Sequence, residues 1–124
     1  MSQVNVLDAS KILADVYTLR ILAGSFKEPK SVQELSTKFN IPIAVCYRKI
    51  HELETTGFLE CVDKILTQEG RRVKLYRSQL KGAYIFFEQG KLRVHLSLTK
   101  VPRVDFDETW DALSLIHQTE TSTF

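Results

Sequence analysis

Between residues 71 and 81 the chain carries Arg71, Arg72, Lys74, Arg77 and Lys81, with no acidic residue among them. The formal net charge of the 124-residue chain is only +2, so this cluster is a local feature and not the overflow of a basic protein. A cluster of that kind suits an anionic partner, and its guanidinium groups suit phosphate oxygens in particular. The same residues also have a plain use, because Lys and Arg blunt exposed strand edges. A second set lies upstream, where Ala44, Val45, Tyr47, Arg48 and His51 alternate with the apolar residues Ile43, Cys46, Ile50 and Leu53 at helical spacing. Such a helix buries one stripe and offers small and polar side chains on the other. That is what a helix needs to enter the major groove of duplex DNA, where base edges present a readable code. Arg48 has the reach to grip guanine or a phosphate, and it also stands four residues before Glu52, with which an ion pair is open.

Catalytic chemistry finds no comparable set. The sequence has no phosphate-binding glycine loop, no nucleophile elbow and no His-Glu-x-x-His pattern. The three histidines, His51, His95 and His117, have no ligand spacing. Cys46 belongs to the apolar stripe and reads as a small core residue, and its distance from Cys61 is not that of a redox or zinc pair. The expectation is a protein that is not an enzyme and holds no cofactor and no metal. No apolar run approaches the length of a membrane span, and the N-terminus lacks the basic and apolar regions of a secretory signal. With two cysteines against a disulfide framework, a cytoplasmic protein without membrane contact is expected.

The elements that must position these residues follow from periodicity. Ile12, Val16, Leu19, Leu22 and Ala23 predict helix up to Gly24, with Asp8 or Ser10 as a cap and one helix or two, depending on a break near Asp15. Ser31 with Glu34 forms a capping-box pattern opening a short helix through Val32, Leu35 and Phe39. Asn40 and Pro42 interrupt it, and Pro42 suits the first turn of the next helix, which runs to a stop at Gly57. The period then changes to strands. FLECVDKIL and RVKLYR flank a turn at Glu69-Gly70, and in the second of them Val73 and Leu75 predict an apolar side, with Arg72, Lys74 and Tyr76 on the other. AYIFFEQGKLRVHLSL predicts a further hairpin turning at Gln89-Gly90, with Leu92, Val94, Leu96 and Leu98 inward. Asp107 is placed to cap a last helix holding Trp110, Leu113 and Ile116.

In this order the segments carry a resemblance. SVQELSTKFNIPIAVCYRKIHELETTGFLE is similar to the helix-turn-helix of ArsR-like and related winged-helix regulators, LADVYTLRILAGS resembles the helix that precedes it, and TQEGRRVKLYRS resembles the wing. The match covers roughly 12–78. The cysteine cluster of metal-sensing members is absent, and the second hairpin is outside the pattern. The resemblance implies an α+β winged helix-turn-helix fold and a transcriptional regulator, commonly dimeric, that binds double-stranded DNA. The expected organisation is a winged helix-turn-helix DNA-binding domain over 1–82, with an additional hairpin and C-terminal helix over 83–124 as a dimerisation element of the same domain. Ser31, Ala44, Val45, Tyr47, Arg48, His51, Arg71, Arg72 and Lys74 form the expected DNA-binding set. Tyr84, Phe86, Trp110 and Leu113 form the expected homodimer interface, because this region is more apolar than a small monomer leaves exposed. The rival reading is a winged-helix adaptor that binds protein and not DNA. A small-molecule effector held by the second hairpin and last helix is a third, which no residue pattern supports.

Overall fold

The computed structural model describes residues 6–100 and 105–111, the latter by backbone alone. It is an α+β structure, with four helices leading into antiparallel strands. Helix α1 (Val6–Leu13) and helix α2 (Val16–Gly24) are separate. They break at Asp15, whose carboxylate accepts hydrogen bonds from the Tyr17 and Thr18 amides at 2.8 and 3.0 Å and so caps α2. Helix α3 (Val32–Lys38) has the full capping box: the Glu34 amide donates to Ser31 Oγ at 3.1 Å, and the Ser31 amide to Glu34 Oε1 at 3.0 Å.

The chain turns between α3 and α4 (Ile43–Thr56) with Asn40 at φ 55°, in the left-handed region that Asn tolerates. Ser36 Oγ donates to the Ile41 carbonyl at 2.6 Å and fastens the turn. Pro42 sits just before α4 at φ −54° and ψ 135°, so the helix starts one residue later than the proline suggests. At the other end Gly57 takes φ 86°, and the Phe58 amide donates back to Leu53. Phe58 is fully buried, so α4 passes straight into the strands.

Strands β1 (Leu59–Leu66) and β2 (Arg72–Ser78) form one antiparallel hairpin. Strands β3 (Leu80–Glu88), β4 (Lys91–Leu98) and β5 (Asp105–Asp111) form a separate sheet in the order β3-β4-β5. The β3–β4 turn has Gln89 at φ 54° and Gly90 at φ 78°, the paired left-handed conformation that suits a two-residue hairpin. Val94, Leu96 and Leu98 of β4 are buried in one core with Ala9, Leu13, Ile21, Leu22, Leu35, Cys46, Ile50 and Leu53 of the helices. That core fixes α4 with its apolar stripe inward.

Three expectations require correction. The segment through Asp107 and Trp110 is the strand β5 and not a helix. Asp105-Phe106-Asp107-Glu108-Thr109-Trp110-Asp111 also has a period of two, and the open side of β4 supplies a ladder for its backbone, with Trp110 at the position across from Leu92 and Phe106 across from Leu96. Leu113, Ile116 and His117 lie outside the described residues. Tyr76 is buried rather than on an exposed basic face, because the hairpin leaves the helical body between Tyr76 and Lys74. Ile43, placed in the buried stripe by spacing, is 42% exposed. Helical side chains lean toward the N-terminus, and at the first residue of α4 this carries the chain past the packed region. Among the described residues no helix is long and apolar enough to cross a membrane.

Candidate nucleic-acid interface

Helix α4 is held by contacts on its buried side. Cys46 Sγ, fully buried, lies 3.7 Å from the Val32 carbonyl of α3, and burial pushes its thiol pKa up. Lys49 Nζ pairs with Asp15 Oδ2 at 2.7 Å, so the carboxylate that caps α2 also grips α4. The hydrogen bond from Lys49, with those from the Thr18 and Tyr17 amides, holds the Asp15 carboxyl below its ordinary pKa. The opposite side of α4 is open. Ala44, Tyr47, Arg48 and His51 are all exposed, and Tyr47 and Arg48 stand three and four residues after Ala44 while His51 stands four and three after them, so the set forms one stripe over two turns. Val45 stands at its edge, half-buried and packed against the core. Arg48 has no ion pair among the described residues, and its pairing with Glu52 is not formed.

The β1–β2 hairpin is docked beside this stripe by backbone. Lys30, just before α3, exchanges both backbone hydrogen bonds with Tyr76, at 2.9 and 2.8 Å. A groove of about 440 Å³ results. Ser31, Val32 and Gln33 line it from α3, Tyr47, Ile50, His51 and Glu54 from α4, and Arg71, Arg72, Val73, Lys74 and Tyr76 from the hairpin. Six of the nine DNA-binding residues expected from sequence therefore share one concavity: Ser31, Tyr47, His51, Arg71, Arg72 and Lys74. Ala44, Val45 and Arg48 lie along α4 outside its walls. Ser31 is 5% exposed and its hydroxyl is occupied by the capping box, so its contribution is to place α3. The basic run divides. Arg77 turns away and donates to the Phe26 carbonyl at 3.1 Å, and Lys81 lines a different groove, between α2 and β3. Arg71, Arg72 and Lys74 remain exposed, with no ion pair among the described residues.

The hairpin register adds a cation that the sequence reading missed. Pairing is regular from Leu59 to Cys61, then an irregularity leaves Val62 out of the ladder, and Asp63 pairs with Leu75 and Lys64 with Lys74. Had Val62 taken a rung, Asp63 would face Lys74 and neutralise it. The bulge places two lysines directly across from each other, an arrangement that weakens a free hairpin and is relieved by an anion. Gln33 at the start of α3 was also missed. Neither residue carries a sequence signal of its own, because Lys64 depends on the bulge and Gln33 on where the hairpin docks. Among the described residues Glu54 is the one acid on the groove wall; burial, and after it the nearby Glu54 carboxylate, raises the pKa of the Tyr76 hydroxyl.

No family model matches the chain, and no curated protein matches it.

Proposed function

We propose that this protein is a winged helix-turn-helix regulator of the ArsR-like kind, which binds double-stranded DNA as a dimer and performs no catalysis. In this reading α3 and α4 are the helix-turn-helix, α4 lies in the major groove, and the β1–β2 hairpin is the wing on the adjoining backbone. The observation that carries the reading is the set of hairpin cations without an ion pair among the described residues, three of them lining one groove and Lys64 standing across the ladder from Lys74, beside the open stripe of α4. Among the described residues Lys64, Arg71, Arg72 and Lys74 form no ion pair, and a bulge sets two of them face to face. Ala44, Tyr47, Arg48 and His51 then provide the base-edge contacts, and the wing cations the phosphate contacts. An adaptor that binds protein has no need to hold uncompensated charge in this arrangement.

The test is fluorescence anisotropy of the purified protein with labelled random-sequence duplex at two salt concentrations. Each phosphate neutralised contributes about −0.9 to the slope of log affinity against log salt, so three or four wing contacts give a slope of roughly −3 per DNA-bound chain. Binding with that dependence supports the reading and justifies selection of an operator. Absence of binding at low salt would overturn it and leave the protein-interaction module as the working function.

A further inference from the structure

Strand β3 ends its sheet, with β4 as its neighbour among the described residues. Edge strands are ordinarily shielded by charge, proline or a bulge, since their free amides and carbonyls recruit other strands. In β3 the irregularity comes at the start, between Leu80 and Gly82, and the charges, Lys81 and Glu88, stand near the ends. Between them Tyr84, Ile85, Phe86 and Phe87 are 62%, 46%, 45% and 66% exposed. Four large apolar residues in succession project from both faces of an edge that no other described strand covers. We propose that β3 pairs antiparallel with β3 of a second copy of this chain, about a two-fold axis at Ile85, joining the two sheets into one.

Symmetry selects that register. A two-fold axis relating adjacent antiparallel strands stands perpendicular to the sheet, so residues that face each other lie on the same sheet face and differ in number by an even count. With the axis at Ile85, Phe86 lies opposite the partner's Tyr84, and the pair occurs twice on one face. On the other face Ile85 meets its own copy, and Phe87 lies opposite the partner's Ala83. Aromatic cross-strand pairs are among the favourable ones. Glu88 then falls opposite Gly82 and Lys81 opposite Gln89, so neither charge is pressed against an apolar side chain. Moving the axis to Tyr84 sets Lys81 against Phe87 and Glu88 against Leu80. Moving it to Phe86 sets Glu88 against Tyr84. Only the Ile85 register matches aromatic with aromatic and keeps the charges clear.

The surface concerned is modest. Three rings of about 150–250 Å² each, at these exposures, leave roughly 250–450 Å² per chain to be covered. Doubled, this is below the roughly 1,200 Å² at which specific interfaces begin, so the pairing is reversible and concentration-dependent. The inference rests on the dimeric part of the proposed function and not on DNA binding, and its test is carried out without DNA.

Sedimentation equilibrium of the full chain is expected to show a monomer–dimer equilibrium that the Tyr84→Lys, Phe86→Lys double variant abolishes. Because these side chains are exposed, the variant is expected to keep the parent's thermal transition. Register is read by cross-linking in a Cys61→Ser background. Cα atoms on the axis are about 4.5–5.5 Å apart, within disulfide reach. Ile85→Cys is therefore expected to give a covalent dimer under mild oxidation. Phe87→Cys lies four rungs from its own copy, about 13 Å along the strand, and is expected to remain monomeric. A protein that stays monomeric at every concentration, a dimer that survives the double lysine variant, or equal cross-linking at residues 85 and 87 would overturn the pairing.

Discussion

Asp15 works at two places at once. Its carboxylate caps α2 through the Tyr17 and Thr18 amides and holds α4 through Lys49. Replacing it with Ala removes a helix cap worth about 1 kcal/mol and a partly exposed ion pair worth up to about 1, so a loss of about 1–2 kcal/mol is expected in urea unfolding at neutral pH. The loss has a definite pH dependence. The folded carboxyl has a lowered pKa, so its contribution is complete above the unfolded value of about 4 and disappears as pH falls through the lower folded value. Parent and Asp15→Ala curves should run parallel from neutral pH down to about 5 and converge below 4. Thr18, in the first turn of α2, has the opposite character. It is fully buried, and its hydroxyl has no hydrogen-bond partner among the described residues. An unsatisfied buried hydroxyl costs about 1–3 kcal/mol, so Thr18→Val, which keeps the shape, should raise stability by roughly 1 kcal/mol. A lower melting temperature for that variant would show that the hydroxyl has a partner after all.

At the scale of elements, helix and hairpin divide the proposed recognition between them, and variants should separate the two. Arg48 lies on the open stripe of α4, and Arg48→Ala should cost about 1–3 kcal/mol at a selected operator while relaxing its sequence preference. Arg71→Ala with Arg72→Ala should weaken binding to every duplex and reduce the magnitude of the salt slope by about 2. Anisotropy titrations on operator and scrambled duplexes distinguish these results. Identical losses for the two variants on both duplexes would mean that α4 does not read bases. The bulge allows a sharper comparison. Lys64→Glu turns the cross-strand lysine pair into an ion pair, and should stabilise the hairpin by about 0.2–1 kcal/mol while weakening DNA binding. A substitution that gains stability and loses affinity marks a position where folding and function disagree.

Across the whole molecule, local chemistry and both hairpins were legible in the sequence, and contacts between segments distant in the chain were not. The capping box at Ser31 and Glu34, the left-handed Asn40, the stop at Gly57 and both hairpin turns all follow from residues adjacent in the chain, and the structure has each of them. The alternation of Leu92 to Leu98 pointed to the face of β4 that is buried. What the sequence hid depends on partners distant in the chain. Residues 105–111 satisfy helical and strand spacing alike, and the open side of β4 decides between them. Tyr76 reads as exposed until the docking of the hairpin onto Lys30 is known. The candidate groove was legible as to residue type, and six of its expected members meet there. The division of the basic run, with Arg77 and Lys81 directed elsewhere, was not legible, because charge in a sequence has no direction.

The lysines set opposite each other at positions 64 and 74 have one more consequence. Their repulsion acts on the outer half of the β1–β2 ladder, beyond the Tyr76 anchor, so that half opens more readily than the core. An anion lying between the lysines removes the repulsion and closes the ladder. The backbone amides there therefore report occupancy: hydrogen exchange from Lys64 to Leu66 and from Arg72 to Lys74 should slow when duplex or inorganic phosphate is added, while exchange in α2 and β4 stays unchanged. The hairpin would then be a segment whose rigidity is supplied by what it binds.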